Sequence, residues 1–135
     1  MFGKNAKIDL LRRVPLFAEC SKSELASIAQ VADEIGFPVG RTLIEEGKPG
    51  REFFVIADGT VEVRRGGRKL PPRGDSNSFG ETALLTGKPR NATVTTTSPV
   101  RALVITDRAF QRLLQEVPSL APKLLANLAE RLDRG

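Results

Sequence analysis

The feature that most constrains the fold is a series of short strand-like segments, separated by glycine and proline, in the middle of the chain. From about residue 35 the apolar and β-branched residues recur with a period of two, which is typical of strands. The predicted strands are 41–45, 53–57, 60–65, 69–72, 91–97 and 100–105. Turn signals separate them at Glu46 to Gly50, Asp58-Gly59, Gly66-Gly67 and Ser98-Pro99. Many short strands at this spacing predict a barrel or a jelly roll.

Helical patterns flank this β region on both sides. Residues 5–14 are predicted to form a short helix, and a capping box of Ser21 and Glu24 opens a second one. The second helix is expected to bury Leu25, Ile28, Ala29 and Ala32. After the strands, Asp107 is predicted to cap a helix through Leu114, and Pro118 to start another. The last helix carries a leucine stripe of Leu120, Leu124, Leu125, Leu128 and Leu132.

The composition excludes several classes of site. The chain has no histidine, which removes Ser-His-Asp and Cys-His catalytic sites, histidine-ligated zinc and the commonest general base. Its single cysteine, Cys20, allows neither an intramolecular disulfide nor a multi-cysteine metal site, which fits a reducing compartment. No apolar leader or membrane-spanning segment stands out. We therefore expect a cytoplasmic, soluble protein with no membrane partner.

The net charge of +5 raises the question of a nucleic-acid partner. The basic residues are scattered along the chain, and the seven aromatic residues, all phenylalanine, are not interleaved with them as a stacking platform requires. We therefore expect no nucleic-acid partner. The basic hairpin 64–69 is interpreted as a solvated loop tip, although positive potential can still attract small anionic ligands.

The segment Phe79 to Leu85, followed by Pro89 to Val94, carries the chemistry. Gly80 permits a close backbone approach before a short helix, whose free N–H groups together with the returning Arg90 form an anion cradle. Glu81 would repel a bare phosphate, so it needs a hydroxyl to accept from. A phosphate joined to a sugar satisfies both demands. The alternative is that Glu81 and Arg90 form an ordinary surface salt bridge.

These residues resemble the phosphate-binding cassette of cyclic-nucleotide-binding domains, as in cAMP-dependent protein kinase regulatory subunits, catabolite-activator-type regulators and cyclic-nucleotide-gated channels. The family cassette reads Phe-Gly-Glu-x-Ala-Leu-Leu, then Pro-Arg-x-Ala-Thr/Ser-Val, and this chain matches it without a gap. The similarity runs roughly from Leu11 to Asp133. It implies one domain over 1–135 with a mainly β fold and flanking helices. In it, residues 5–32 are helical, 35–106 form an antiparallel β-roll with the cassette at 79–94, and 107–133 form two C-terminal helices.

The resemblance also implies roles for individual residues. Arg90 pairs with the cyclic phosphate, Glu81 accepts from the ribose 2′-hydroxyl, and N–H groups around Ala83 and Asn91 complete the phosphate shell. The predicted ligand-binding residues are Gly80, Glu81, Thr82, Ala83, Arg90 and Asn91. Arg131 is the candidate lid over the base, with Lys123 and Asn127 behind it, and the alternative is that Arg131 is simply solvated.

Two departures from the family pattern bear on the ligand. Ser76, Asn77 and Ser78 lengthen the loop before Phe79, and Asn91 stands where cAMP receptors often have alanine and many cGMP-responsive domains have serine or threonine. Because that hydroxyl is missing, cAMP is favoured over cGMP.

Catalytic interpretations fail on spacing and on composition. Gly80 to Lys88 has six residues between its glycines and Pro89 after its lysine, unlike a Walker loop. We therefore predict a non-catalytic receptor without metal or cofactor, whose ligand moves the C-terminal helix, itself a candidate contact for an effector domain or protein. The alternative is an interaction module of the same fold that no longer binds cyclic nucleotide and acts through its leucine-rich last helix.

Overall fold

The computed structural model describes residues 3–71, 78–86 and 88–133, with side chains for all of these except 82–84 and 131–133. Three helical segments come first: α1 (Lys4–Arg12), a 3-10 turn (Pro15–Phe17) and α2 (Lys22–Val31). The first strands are β1 (Asp33–Phe37), β2 (Thr42–Ile44), β3 (Glu52–Asp58), β4 (Val61–Arg65), β5 (Arg68–Lys69) and β6 (Ser78–Phe79). The chain continues through α3 (Glu81–Thr86), β7 (Thr93–Thr96), β8 (Val100–Thr106), α4 (Asp107–Glu116) and α5 (Leu120–Asp133).

The strands form two four-stranded antiparallel sheets, in the orders β1-β8-β3-β6 and β2-β7-β4-β5. This confirms the predicted mainly β fold with flanking helices. Strand β3 shows how the layers meet. Phe54 joins Ile44, Val94 and Val104 in a core between the sheets. Phe53 and Val55, on the other face of β3, are buried with residues of the helices. Because both faces are covered, β3 is almost continuously apolar.

The helices are held to one another by polar contacts at their ends. In the predicted capping box, the Ser21 amide donates to Glu24 Oε1 over 2.7 Å and the Glu24 amide donates to Ser21 Oγ over 3.1 Å. At the other end of α2, Lys7 Nζ donates to the Ala32 carbonyl over 2.7 Å. These bonds satisfy backbone groups that a helix end leaves without partners, and the bond from Lys7 also fixes α1 against α2.

The structure corrects several predicted boundaries. Strand β1 was not predicted, and it begins two residues before residue 35, where the strand-like period of two was expected to start. It was missed because Asp33, Glu34 and Gly36 give it no clear alternation of polar and apolar residues. Strand β6 is too short, at two residues, to give a pattern. Strand β5 ends at Lys69 rather than at residue 72, α1 spans 4–12 rather than 5–14, and β7 spans 93–96 rather than 91–97.

The C-terminal helices also differ from prediction. Thr106, not Asp107, caps α4, because its Oγ1 accepts from the Ala109 amide over 3.1 Å. Helix α4 runs to Glu116 and α5 starts at Leu120, two residues after Pro118. Within the leucine stripe, Leu120 and Leu124 are buried, but Leu125 is 70% exposed. The leucine stripe is therefore wider than the part of the α5 surface that packs against the rest of the protein. No helix among the described residues is long and apolar enough to cross a membrane.

Candidate functional site

A cavity of about 280 Å³ lies between the cassette and the second sheet. Its apolar wall includes Ile44, Val63, Phe79 and Val94, and its polar lining includes Arg65, Gly80, Glu81, Lys88, Arg90 and Asn91. This volume is at the lower end of small-molecule pockets, which span about 300–1,000 Å³. An apolar wall with a few convergent charged groups suits a ligand that has one flat apolar part and one charged part.

Arg90 is the buried cation of this cavity, with only 9% of its surface exposed. Its Nη1 donates to the Gly80 carbonyl over 3.3 Å and its Nη2 to the Glu52 carbonyl. The main chain of Arg90 is also fixed, because its amide donates to the Lys48 carbonyl and its carbonyl accepts from the Gly47 amide, both over 2.9 Å. Arg90 is therefore not one half of a surface salt bridge.

Burial removes water from around the Arg90 guanidinium. Desolvation lowers its pKa from the ordinary value, and the Glu52 carboxylate opposes this shift. Arginine remains protonated under all ordinary conditions. An anion entering the cavity therefore meets a charge that water screens poorly.

Gly80 makes this arrangement sterically possible. Its φ of +95° lies in the region that favours glycine. A Cβ at this position would overlap Arg90 Nη1 and lie 2.8 Å from the Glu52 carbonyl oxygen. The glycine of the motif is therefore required by the arginine of the motif, ten residues later.

The other predicted site residues lie around this pair. Glu81 begins α3 and lines the cavity, and Asn91 lines it directly after Arg90. Thr82 and Ala83 lie in the first turn of α3, and their side chains are outside the described part of the structure. The predicted rim residues Ser76 and Asn77 are outside it too, while Ser78 is buried in β6.

Of the three residues predicted at the lid over the base, the structure describes the side chains of Lys123 and Asn127. Arg131 lies in α5, and its side chain is outside the described atoms. Lys123 Nζ donates to Glu24 Oε1 over 2.6 Å, and Asn127 Nδ2 donates to the Pro15 carbonyl over 3.0 Å. Lys123 and Asn127 therefore contact the N-terminal helical segments in this arrangement.

Glu24 is the centre of the contact between α2 and α5. In addition to the capping bond, its carboxylate accepts from Lys123 Nζ and from Ser119 Oγ. These hydrogen bonds lower the pKa of the Glu24 carboxyl to about 2, and the bond from Lys123 has the largest effect, followed by the bond from Ser119. The carboxylate is therefore ionised at neutral pH and holds α5 against α2.

Sequence reasoning missed two cations of the cavity, Arg65 and Lys88. Arg65 had been assigned to a solvated hairpin, yet it lines the cavity and its Nε donates to the Asn91 carbonyl over 3.1 Å. The signal available was its position two residues after Val63, on the same face of one strand. No group of three or more potential metal ligands occurs among the described residues.

The comparisons with known proteins agree with this geometry. The family model described as "Cyclic nucleotide-binding domain" matches residues 34–117. The chain belongs to the cyclic nucleotide-binding domain family. A "CRP-like cAMP-activated global transcriptional regulator" of Mycobacterium tuberculosis is 31% identical over 131 residues, 93% of this chain. A "cAMP-dependent protein kinase regulatory subunit" of Aspergillus fumigatus is 39% identical over 114 residues, 82% of this chain.

A solved structure similar to this chain is the N-terminal domain of a transcriptional regulator from Streptomyces coelicolor A3(2). It superposes with a TM-score of 0.83 at 34% identity, covering 93% of this chain and 91% of that one. The chain spans 58% of the length of the mycobacterial regulator and 27% of that of the fungal regulatory subunit. It therefore corresponds to a part of each of these two relatives.

Proposed function

We propose that this chain is a non-catalytic receptor domain for a cyclic purine nucleotide, with cAMP preferred over cGMP. The observation that supports it most strongly is a buried, charged Arg90 in a cavity that Glu81 also lines. In this proposal Arg90 binds the cyclic phosphate and Glu81 accepts from the ribose 2′-hydroxyl. The N–H groups around Ala83 and Asn91 complete the phosphate shell, and Gly80 lets the sugar approach.

The expected affinity follows from these contacts. A hydrogen bond to a charged group contributes about 1.5–3 kcal/mol. The Arg90 pair with two or three further bonds is enough for micromolar binding, which corresponds to about 8 kcal/mol. Preference for cAMP is supported by the absence of a hydroxyl at Asn91 and by the relatives named for cAMP.

We also propose that ligand binding repositions α5. Helix α3, which begins at Glu81, packs against α4, and Leu85 contacts the core that includes Phe110 and Leu113. A ligand that draws α3 inward changes this packing, and α5 follows α4 in the chain. The contacts of Lys123 with Glu24 and of Asn127 with the Pro15 carbonyl are then bonds that a moving α5 must break. This switch requires different ligand affinities in the two arrangements.

The proposal extends to the setting of the domain. We infer a single domain over 1–135 that acts in the cytoplasm, binds neither nucleic acid nor membrane, needs no metal or cofactor, and releases its ligand intact. The exposed Leu125 on α5 offers a contact for an effector domain or a protein partner. If no cyclic nucleotide binds, this surface favours the alternative of an interaction module.

Calorimetry with cAMP and cGMP tests the proposal. We expect micromolar binding of cAMP and weaker binding of cGMP by the wild type, and a loss of about 10- to 150-fold in Arg90→Ala, because a charge-assisted pair that contributes about 1.5–3 kcal/mol is removed. Arg68→Ala, on the exposed hairpin, serves as the control. Chromatography after incubation should recover the nucleotide unchanged. Absence of binding by the wild type overturns the receptor proposal, and unmoved α5 resonances at saturation overturn the switch.

A further inference from the structure

The contact between α5 and the N-terminal helical segments is polar although it is buried. The polar and charged side chains that are buried among the described residues are those of Glu24, Ser78, Arg90, Thr96 and Asn127. Glu24 and Asn127 both lie in this contact. Permanent contacts between folded parts are mostly apolar, whereas polar groups regain hydrogen bonds to water when two surfaces separate. The composition therefore suits a contact that opens.

The Glu24 carboxylate supplies the attraction across this contact. It accepts from Lys123 Nζ over 2.6 Å and from Ser119 Oγ, and it also accepts from the Ser21 amide at the start of α2. Lys123 lies in α5, and Ser119 directly precedes that helix. The Glu24 side chain is 6% exposed, so the loss of Lys123 would leave a poorly solvated carboxylate without its lysine. Glu24 therefore favours the position of α5 against α2.

Asn127, one turn after Lys123 on α5, weakens the same contact. Its Nδ2 donates to the Pro15 carbonyl over 3.0 Å, but its Oδ1 is buried and has no hydrogen-bond partner among the described residues. A buried acceptor without a partner costs free energy, which exposure to water would recover. The Pro15 carbonyl does not depend on Asn127, because it also accepts from the Ala18 amide over 3.3 Å. An apolar side chain at position 127 would therefore hold α5 more firmly than asparagine does.

The position of α5 is coupled to the cavity through the shared core. Leu120 and Leu124 of α5 are buried in this core, and Leu85 of α3 packs against it. Helix α3 begins at Glu81, which lines the cavity. A shift of α5 therefore changes the packing of the helix that carries Glu81. Because coupling between two sites is reciprocal, a ligand that shifts α3 must in turn be bound more or less tightly according to the position of α5.

We propose that these contacts form an autoinhibitory latch, in which the bonds of Glu24 to Ser119 and Lys123, opposed by Asn127, hold α5 in the arrangement that binds the ligand less tightly. This inference rests on the proposed function and adds the regulation of the site. The apparent affinity for a ligand is reduced by the fraction of protein that is in the binding-competent arrangement. Glu24 lowers that fraction and Asn127 raises it. Neither residue is among the described lining residues of the cavity, so both act on affinity at a distance.

The test compares cAMP affinity, from calorimetry, with stability, from urea denaturation. Glu24→Gln keeps the capping box, because glutamine also accepts from the N-cap amide, but it loses the charge that holds Lys123. Lys123→Met keeps the apolar stem of the side chain and loses the ammonium group. We expect each variant to bind cAMP about three- to thirtyfold more tightly than the wild type, although each is less stable. In the free Glu24→Gln protein, the NMR resonances of α5 should lie between those of the free and the cAMP-saturated wild type.

Asn127→Leu should have the opposite effect. It removes the buried acceptor and keeps a side chain of similar size, so the protein should be more stable and should bind cAMP about two- to tenfold less tightly. Gly59→Ala is the control, because it strains the turn between β3 and β4 and leaves the latch residues in place. It should lower stability without any gain in affinity.

The possible results separate the latch from the proposed function. A wild type that binds no cyclic nucleotide contradicts the proposed function, and the latch with it. If the wild type binds cAMP and neither Glu24→Gln nor Lys123→Met binds it more tightly, the receptor proposal stands and the latch is wrong. Tighter binding by Gly59→Ala as well would assign the gain to general loosening of the fold and overturn the latch. Tighter binding by Asn127→Leu would also overturn it.

Discussion

Single residues set the geometry of the candidate site, and Gly80 is packed directly against the Arg90 side chain. Gly80→Ala places a methyl group against the Arg90 guanidinium and the Glu52 carbonyl, at a positive φ. We expect the free energy of unfolding to fall by about 1–3 kcal/mol, as for other strained residues, and cyclic-nucleotide affinity to fall by at least about tenfold. Urea denaturation and calorimetry measure the two effects.

Gly59→Ala is the matched control for this substitution. Its φ is +102°, and a Cβ there would crowd Val100 at the β3–β4 turn, away from the cavity lining. It should destabilise the fold comparably while the folded protein keeps its affinity. Equal affinity losses in both variants would show that Gly80 acts through general stability and not through Arg90.

The motif was enough to predict that Gly80 and Arg90 lie in one candidate site, because their residue types at this spacing indicate anion binding without knowledge of the fold. A glycine, a carboxylate and an arginine at fixed spacing have few joint uses. Arg65 was not predicted, because a strand face must be known before its last residue can be assigned to a cavity. The contact between Glu24 and Lys123 also joins residues far apart in sequence, and only the tertiary packing shows it.

At the scale of elements, the contact between α2 and α5 depends on the ionised Glu24 carboxylate. Its pKa in the folded protein is about 2, below the ordinary value of 4.5. The stabilisation is therefore complete above about pH 4.5 and is lost as pH falls toward 2. We expect Glu24→Gln to lower the free energy of unfolding by about 1–3 kcal/mol at pH 7, and to flatten its dependence on pH in that window.

Urea denaturation at several pH values between 7 and 2.5 measures this effect. Glu62→Gln removes the exposed partner of Arg64 and should change stability little, since exposed ion pairs contribute little. An acid profile of Glu24→Gln that parallels the wild type would contradict the role of Glu24.

A helix or strand could be predicted from the sequence where its surroundings leave a local pattern of residue types. The strong apolar run of β3 and the capping box of α2 were evident in the sequence, because burial on two faces and a helix start each leave a local pattern. Strand β1 pairs with β8 along five residues, yet it is polar and interrupted by Gly36. Pairing with a neighbouring strand, not its own propensity, makes it a strand.

The whole molecule is joined by one core that the N-terminal helices, the first sheet and the C-terminal helices share. Phe17 is fully buried in this core, with its ring centroid 6.0 Å from that of Phe53 and 6.4 Å from that of Phe110. We expect Phe17→Ala to lower the free energy of unfolding by about 3–5 kcal/mol.

Because the helices and the sheet share this core, circular dichroism and NMR should report the same unfolding midpoint for both, shifted together in Phe17→Ala. Leu125→Ala, at an exposed position of α5, should stay within about 0.5 kcal/mol of the wild type. Separate midpoints for helices and sheet would contradict a shared core.

Arg90 is bonded through its amide, its carbonyl and its guanidinium to parts of the fold that precede it in the chain. A residue fixed in this way needs no rearrangement before it meets the ligand that we propose for it. Capture should then be limited by encounter, with an observed rate that rises linearly with nucleotide concentration. Any movement of α5 comes afterwards, as a slower phase that concentration does not accelerate. Ligand capture and the conformational response would thus have separate rates, and only the rate of capture would depend on nucleotide concentration.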